Sequence, residues 1–146
     1  MKYPAAYFLD CKRSGVYAAP RSPAEFRRDA AGNGLAWFDV DLAGVATKAA
    51  LLAHCQTVFG LPDGFGHNWD ALADSLEDFS WLPSGGYVVL INNADEIARR
   101  APADFATALE IFAAAATYWS TKGRLFIVLL DDKSHGGRSL QALEAQ

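Results

Sequence analysis

A chain of 146 residues, 51% hydrophobic and 21% charged, has enough apolar surface for one domain with a real core, which excludes a disordered chain. The length is short for two domains. A net charge of −4 and a pI near 5.2 argue against nucleic acid as a direct ligand, which needs a basic face, and suit a basic protein partner instead.

In chain order, residues 5–9 form a short apolar run that reads as a strand, bounded by Asp10 and the turn-prone Arg13, Ser14 and Gly15. Ser22, Pro23 and Glu25 make a capping-box pattern with proline at the first helical position. The helix it opens runs toward Ala31 and is stopped by Gly32, Asn33 and Gly34. Residues 35–42 read as a strand. Thr47 is placed to cap the next helix, where Leu51, Leu52, Cys55, Val58 and Phe59 recur at helical spacing. A Gly-rich loop and another helix follow, ending near residues 80–83. Residues 87–91 and 125–130 are nearly continuous apolar runs, which suit strands covered on both faces. Between them Pro102 opens a long helix with Phe105, Leu109, Phe112, Ala116 and Trp119 as its buried stripe, and Gly123 stops it. This order predicts an α/β fold with right-handed crossovers. From Ser134 onward the sequence reads as a polar, mobile tail.

The densest signal lies in residues 61–77. Asn68 is a good N-cap, which puts Trp69 at the first helical position and Asp70 where the helix dipole favours an anion. At about 100° per residue, Asp70, Asp74 and Glu77 fall within roughly 60° of one another, while Leu72, Leu76 and Phe79 lie opposite. One helix therefore carries a core stripe and an acidic stripe, fronted by the loop with Gly64, Phe65 and Gly66. Aromatics beside carboxylates recur at interface hot spots, and Trp69 and Trp81 are candidates to join them.

Leu61, Pro62, Phe65, Gly66, Asn68, Asp70, Ala71, Leu72, Asp74 and Leu76 together resemble, without a gap, the signature of the barstar family of intracellular ribonuclease inhibitors. The resemblance extends more loosely over residues 35–131. It implies a barstar-like three-layer fold with a small parallel sheet of three strands flanked by helices, to which the N-terminal extension could add a fourth. The implied division is an extension at 1–34 with a short strand and helix, a barstar-like domain at 35–132 and a tail at 133–146. It further implies that the loop and acidic helix plug a ribonuclease active site, the carboxylates standing in for RNA phosphates. The residues expected to touch the partner are Phe65, Gly66, His67, Asn68, Trp69, Asp70, Ala73, Asp74 and Glu77. The partner expected is a basic, barnase-like ribonuclease or a ribonuclease toxin, which makes the chain an immunity protein. The chain departs from the best-known member of the family at Gly64, where that member has an aromatic, and at Ala73, where it has a tryptophan. Residues 111–116 also offer alanine, Ala114 included, where that member's helix carries a contacting glutamate.

Other readings compete. A barstar-fold binding module with a non-ribonuclease partner fits the lost tryptophan and glutamate positions. A small acidic hydrolase using Asp70 and Asp74 fits the carboxylate pair, but a divalent metal would lack further oxygen ligands. His67 reads as an exposed loop histidine more readily than as a pH-sensitive group. His54 and Cys55 are adjacent on a helix and point about 100° apart, so they do not make a nucleophile pair. No P-loop, nucleophile elbow or dinucleotide fingerprint occurs, and the expectation is a non-enzyme with no catalytic residue, cofactor or metal site. Cys11 and Cys55 show no metal-ligand spacing and suit a reducing compartment. Asp10, Lys12 and Arg13 interrupt the first apolar stretch, and no run approaches the ~18 apolar residues of a membrane span. The expectation is a cytoplasmic protein that binds neither membrane nor nucleic acid directly.

Overall fold

The computed structural model describes residues 3–62 and 66–143. Its sheet is parallel throughout, in the order β1-β4-β3-β2, from β1 (Gly15–Ala18), β2 (Ala36–Asp41), β3 (Gly86–Asn92) and β4 (Leu125–Leu130). Only Asn92 of β3 and β4 escapes full burial, because both strands are central and both of their faces are covered. The helices are α1 (Ala5–Phe8), α2 (Pro23–Gly32), α3 (Lys48–Phe59), α4 (Trp69–Leu76), α5 (Asp95–Arg100) and α6 (Pro102–Thr121). Side chains alternate across the strands and so supply two cores. Phe38, Val40, Tyr87, Val89, Ile91, Phe126, Val128 and Leu130 face α3, α4, α5 and α6. Val88, Leu90, Leu125, Ile127 and Leu129 face Tyr3, Tyr7, Phe8, Phe26 and Ala30. Three layers result, as expected.

The fourth strand does come from the N-terminal extension, but not from residues 5–9. Those form α1, which turns Tyr7 and Phe8 into an aromatic cluster with Tyr3 and Phe26; the Tyr3 and Phe26 rings are 4.8 Å apart. A short apolar run suits a helix turn as well as a strand, and tertiary packing decides it here. The strand is Gly15–Ala18, placed by β4. The Ser14 hydroxyl accepts from Phe126 N–H at 3.0 Å, and Gly15 pairs with Ile127.

Thr47 caps α3 as its sequence predicts, accepting from Ala50 N–H at 3.1 Å. Ser22 is the N-cap of α2 with Pro23 at its first position, but the hydroxyl makes no capping bond; the Ser22 carbonyl accepts from Glu25 N–H instead. Helix α5 is an element the sequence pattern left unread. Asp95 and Glu96 in its first turn, Arg99 and Arg100 in its last and a Glu96–Arg100 ion pair at 3.2 Å suit its dipole, and fully buried Ile97 packs the short helix into the first core. The described part of the segment expected to be a mobile tail makes definite contacts. Ser134 is buried, its hydroxyl accepting from Ala94 N–H and donating to Asp131. Ala142 bridges to Ala18 beside β1, and Leu143 is buried in the second core.

Candidate functional site

The chain leaves α3 through Gly60, whose left-handed backbone (φ 65°, ψ 37°) lets Leu61 N–H reach back to the Gln56 carbonyl at 3.0 Å and Gly60 N–H to that of Thr57. This turn buries Leu61 and sends the chain outward at Pro62. Phe65, with Asp63 and Gly64, lies outside the described residues. Gly66, His67 and Asn68 are exposed and lead into α4. His67 has a positive φ of 51°, and its Nε2 lies 2.6 Å from Gln56 Oε1.

Asn68 caps α4 as its sequence predicts: its Oδ1 accepts from Ala71 N–H at 2.8 Å and its carbonyl from Leu72 N–H at 3.1 Å. With that start fixed, Leu72 and Leu76 point into the core and are fully buried. Asp70 and Asp74, one turn apart, stand in solvent. Ala73 is half-buried. Glu77 is also half-buried and sits just past the last helical turn as its C-cap, so the helix ends earlier than residues 80–83. The cause is Phe79, which takes a positive φ of 49° to stack on Tyr87 at 4.6 Å and on Phe38 at 5.5 Å.

Trp69 is half-buried against the core, with Lys48 Nζ 5.3 Å from its ring centre. The helix is held from beneath by α6, where Trp119 Nε1–H donates to the Leu76 carbonyl at 2.8 Å. Trp81 Nε1–H donates to the Phe59 carbonyl at 3.1 Å, which ties the turn after α4 to the end of α3. That anchor leaves the Trp81 side 38% and its neighbour Leu82 39% exposed. Neither anchor, nor Gln56, was legible as such in the sequence, because each acts through a backbone carbonyl or a turn that the one-dimensional pattern does not place.

Among the described residues, Asp70, Asp74 and Glu77 enter no ion pair and their side chains no hydrogen bond, so their charge is uncompensated within the chain. The nucleophile idea finds no geometry to support it. Cys55 is buried on α3, and burial pushes its thiol up to about 12, which keeps it protonated and unreactive near neutrality. The neighbouring His54 Nε2 is buried with no hydrogen-bond partner among the described residues. No group of three or more His, Cys, Asp or Glu side chains there is arranged to hold a metal ion.

The sequence model of one family, described as Barstar (barnase inhibitor), matches residues 35–131. The chain belongs to the barstar family. A comparison with curated proteins found no match. The barstar match begins one residue before β2 and ends one residue after β4, so it contains the loop and α4 whole, while α1, β1 and α2 precede it. Barstar-family proteins are inhibitors, and the family's partners are barnase-type ribonucleases. Among the described residues, no helix is long and apolar enough to cross a membrane.

Proposed function

We propose that this chain is a cytoplasmic inhibitor, not an enzyme, that plugs the active site of a basic, barnase-like ribonuclease or ribonuclease toxin and so acts as an immunity protein. One observation carries the reading: Asp70 and Asp74 are exposed and, among the described residues, unpaired, on a helix whose other face is locked in the core. Carboxylates so held can occupy the positions of RNA phosphates against the Arg, Lys and His side chains of a nuclease, without reorganising on contact. Gly66, His67, Asn68, Trp69, Ala73 and Glu77 surround them, and Phe65 is assigned as the aromatic that excludes water from the ion pairs. Steering by the acidic face speeds encounter and weakens with salt.

The test is Asp74→Ala in titration calorimetry against a catalytically inactive barnase-type ribonuclease. Loss of a desolvated interface charge costs about 2–5 kcal/mol, the barnase–barstar pair itself being a reference case for such charges. An exposed helix residue changes stability by only about ±0.5 kcal/mol. Wild-type affinity in a variant with a lowered melting temperature would refute the reading. A second reading, a barstar-family module with a non-ribonuclease partner, is favoured by Gly64, Ala73 and Ala114, where contacts of the best-known member are missing; Ala114 is an exposed position on α6. It takes over if the wild-type chain neither binds nor inhibits any barnase-type enzyme.

A further inference from the structure

Gln56, in the last turns of α3, touches the segment that leads to α4 three times. Its carbonyl accepts from Leu61 N–H at 3.0 Å, its Nε2 donates to the Pro62 carbonyl at 3.4 Å, and its Oε1 faces His67 Nε2 at 2.6 Å. An amide oxygen only accepts, so His67 Nε2 carries the proton of that bond. The first contact is backbone alone and would survive any side chain at this position. The other two belong to the glutamine side chain, and they fasten the chain at two points, where it leaves α3 and where it comes back to begin α4. The return point is itself tightly built. His67 holds a φ of 51°, which a non-glycine residue keeps only where its surroundings fix it. A Cβ on Gly66 would lie 2.9 Å from Asn68 Nδ2, on the amide whose Oδ1 caps α4, so the turn and the cap are closely packed.

We propose that Gln56 is a positioning residue for recognition: through His67 it sets the direction from which Asn68 starts α4, so Asp70 and Asp74 stand in one orientation before a partner arrives. This rests on the ribonuclease-binding reading above. Pro62 and His67 are exposed and Gln56 is half-exposed, so the brace adds little to global stability and acts through geometry. Its benefit is preorganisation, since apparent affinity scales with the fraction of molecules already competent to bind.

The experiment compares full-length wild type with Gln56→Met, His67→Gly, the double variant and Gln56→Glu. Amide exchange at Ala71 and Leu72, whose N–H groups are bonded to Asn68, reads the brace in the free protein; inhibition of a barnase-type ribonuclease reads its role. Gln56→Met keeps length but removes both side-chain bonds, and is expected to speed exchange roughly tenfold and weaken inhibition roughly three- to tenfold. The melting temperature should stay within about 2 °C of wild type. The double variant should be no weaker than the weaker single one, because both cut the same link. Gln56→Glu keeps an acceptor opposite His67 and should keep the protection. Glycine accepts a positive φ freely, so a His67→Gly variant that inhibits like wild type would overturn the proposal, as would additive losses in the double variant. Unchanged exchange in Gln56→Met overturns the brace itself. Faster exchange with unchanged inhibition overturns its role in recognition. A wild-type chain that inhibits no such nuclease overturns the ribonuclease reading and that role with it, while the exchange rates still decide whether the brace exists.

Discussion

Asn68 does two jobs with one side chain. Its Oδ1 satisfies an orphan amide of the first helical turn, and in doing so it sets the rotation of α4 that buries Leu72 and exposes Asp70. Asn68→Ala is expected to lower stability by about 1 kcal/mol, read as a drop in the denaturant midpoint at constant slope. Asp70 poses a kinetic question instead. Being exposed and free of partners among the described residues, it should act mainly before contact. Asp70→Asn is expected to slow association with a basic ribonuclease at low salt, and stopped-flow traces should converge on wild type as ionic strength rises. Both residues were legible in the sequence, because capping and helical periodicity are local rules. Gln56 was not, since its significance depends on a turn that brings His67, eleven residues onward, back to its side chain.

Helix α4 has few turns and would be marginal in isolation, so its stability is borrowed from packing. Leu76, the Trp119 indole bond to the Leu76 carbonyl and the Phe79 stack supply that packing. Leu76→Ala should destabilise the chain by about 2–5 kcal/mol, seen in thermal or denaturant unfolding, while the molecules still folded keep their affinity. α3, α4, α6 and the strands β2, β3 and β4 could be read from apolar period and flanking signals. α1, β1 and α5 could not. α1 packs Tyr7 and Phe8 on the ring of Phe26, a contact that local pattern does not reveal, and β1 pairs with an edge that β4 offers more than a hundred residues later. α5 is too short for periodicity to register and is held by buried Ile97, with its charges adding a little.

Across the whole molecule, the buried phenols and thiol set an alkaline limit. Burial pushes Tyr7 up to about 12 from 10.0 and Cys55 up to about 12 from 9.0. Tyr3, Tyr17 and Tyr87 move the same way for the same leading reason. Between those values the unfolded chain has released protons that the folded chain still holds, so unfolding free energy falls as pH rises. The contribution of these groups is present in full below about pH 9 and is lost progressively toward pH 12. Denaturant midpoints taken from pH 8 to 11 should therefore decline, and Tyr7→Phe should flatten part of that decline.

The pairing of β1 with β4 also orders events during synthesis. A chain emerging from a ribosome presents residues 15–18 more than a hundred residues before their partners at 127–130. β2 and β3 are separated by a far shorter span and can meet while translation continues. Until β4 is released the aromatic cluster of the extension has only part of its sheet face, Val88 and Leu90 of β3, and Ala142 comes to rest beside β1 only after β4 is in place. Such late, long-range closure is the slow step expected of a parallel sheet. The extension thus makes completion of the fold depend on β4, and a truncated translation product lacking β4 would leave Tyr7, Phe8 and Phe26 incompletely covered and open to quality-control recognition.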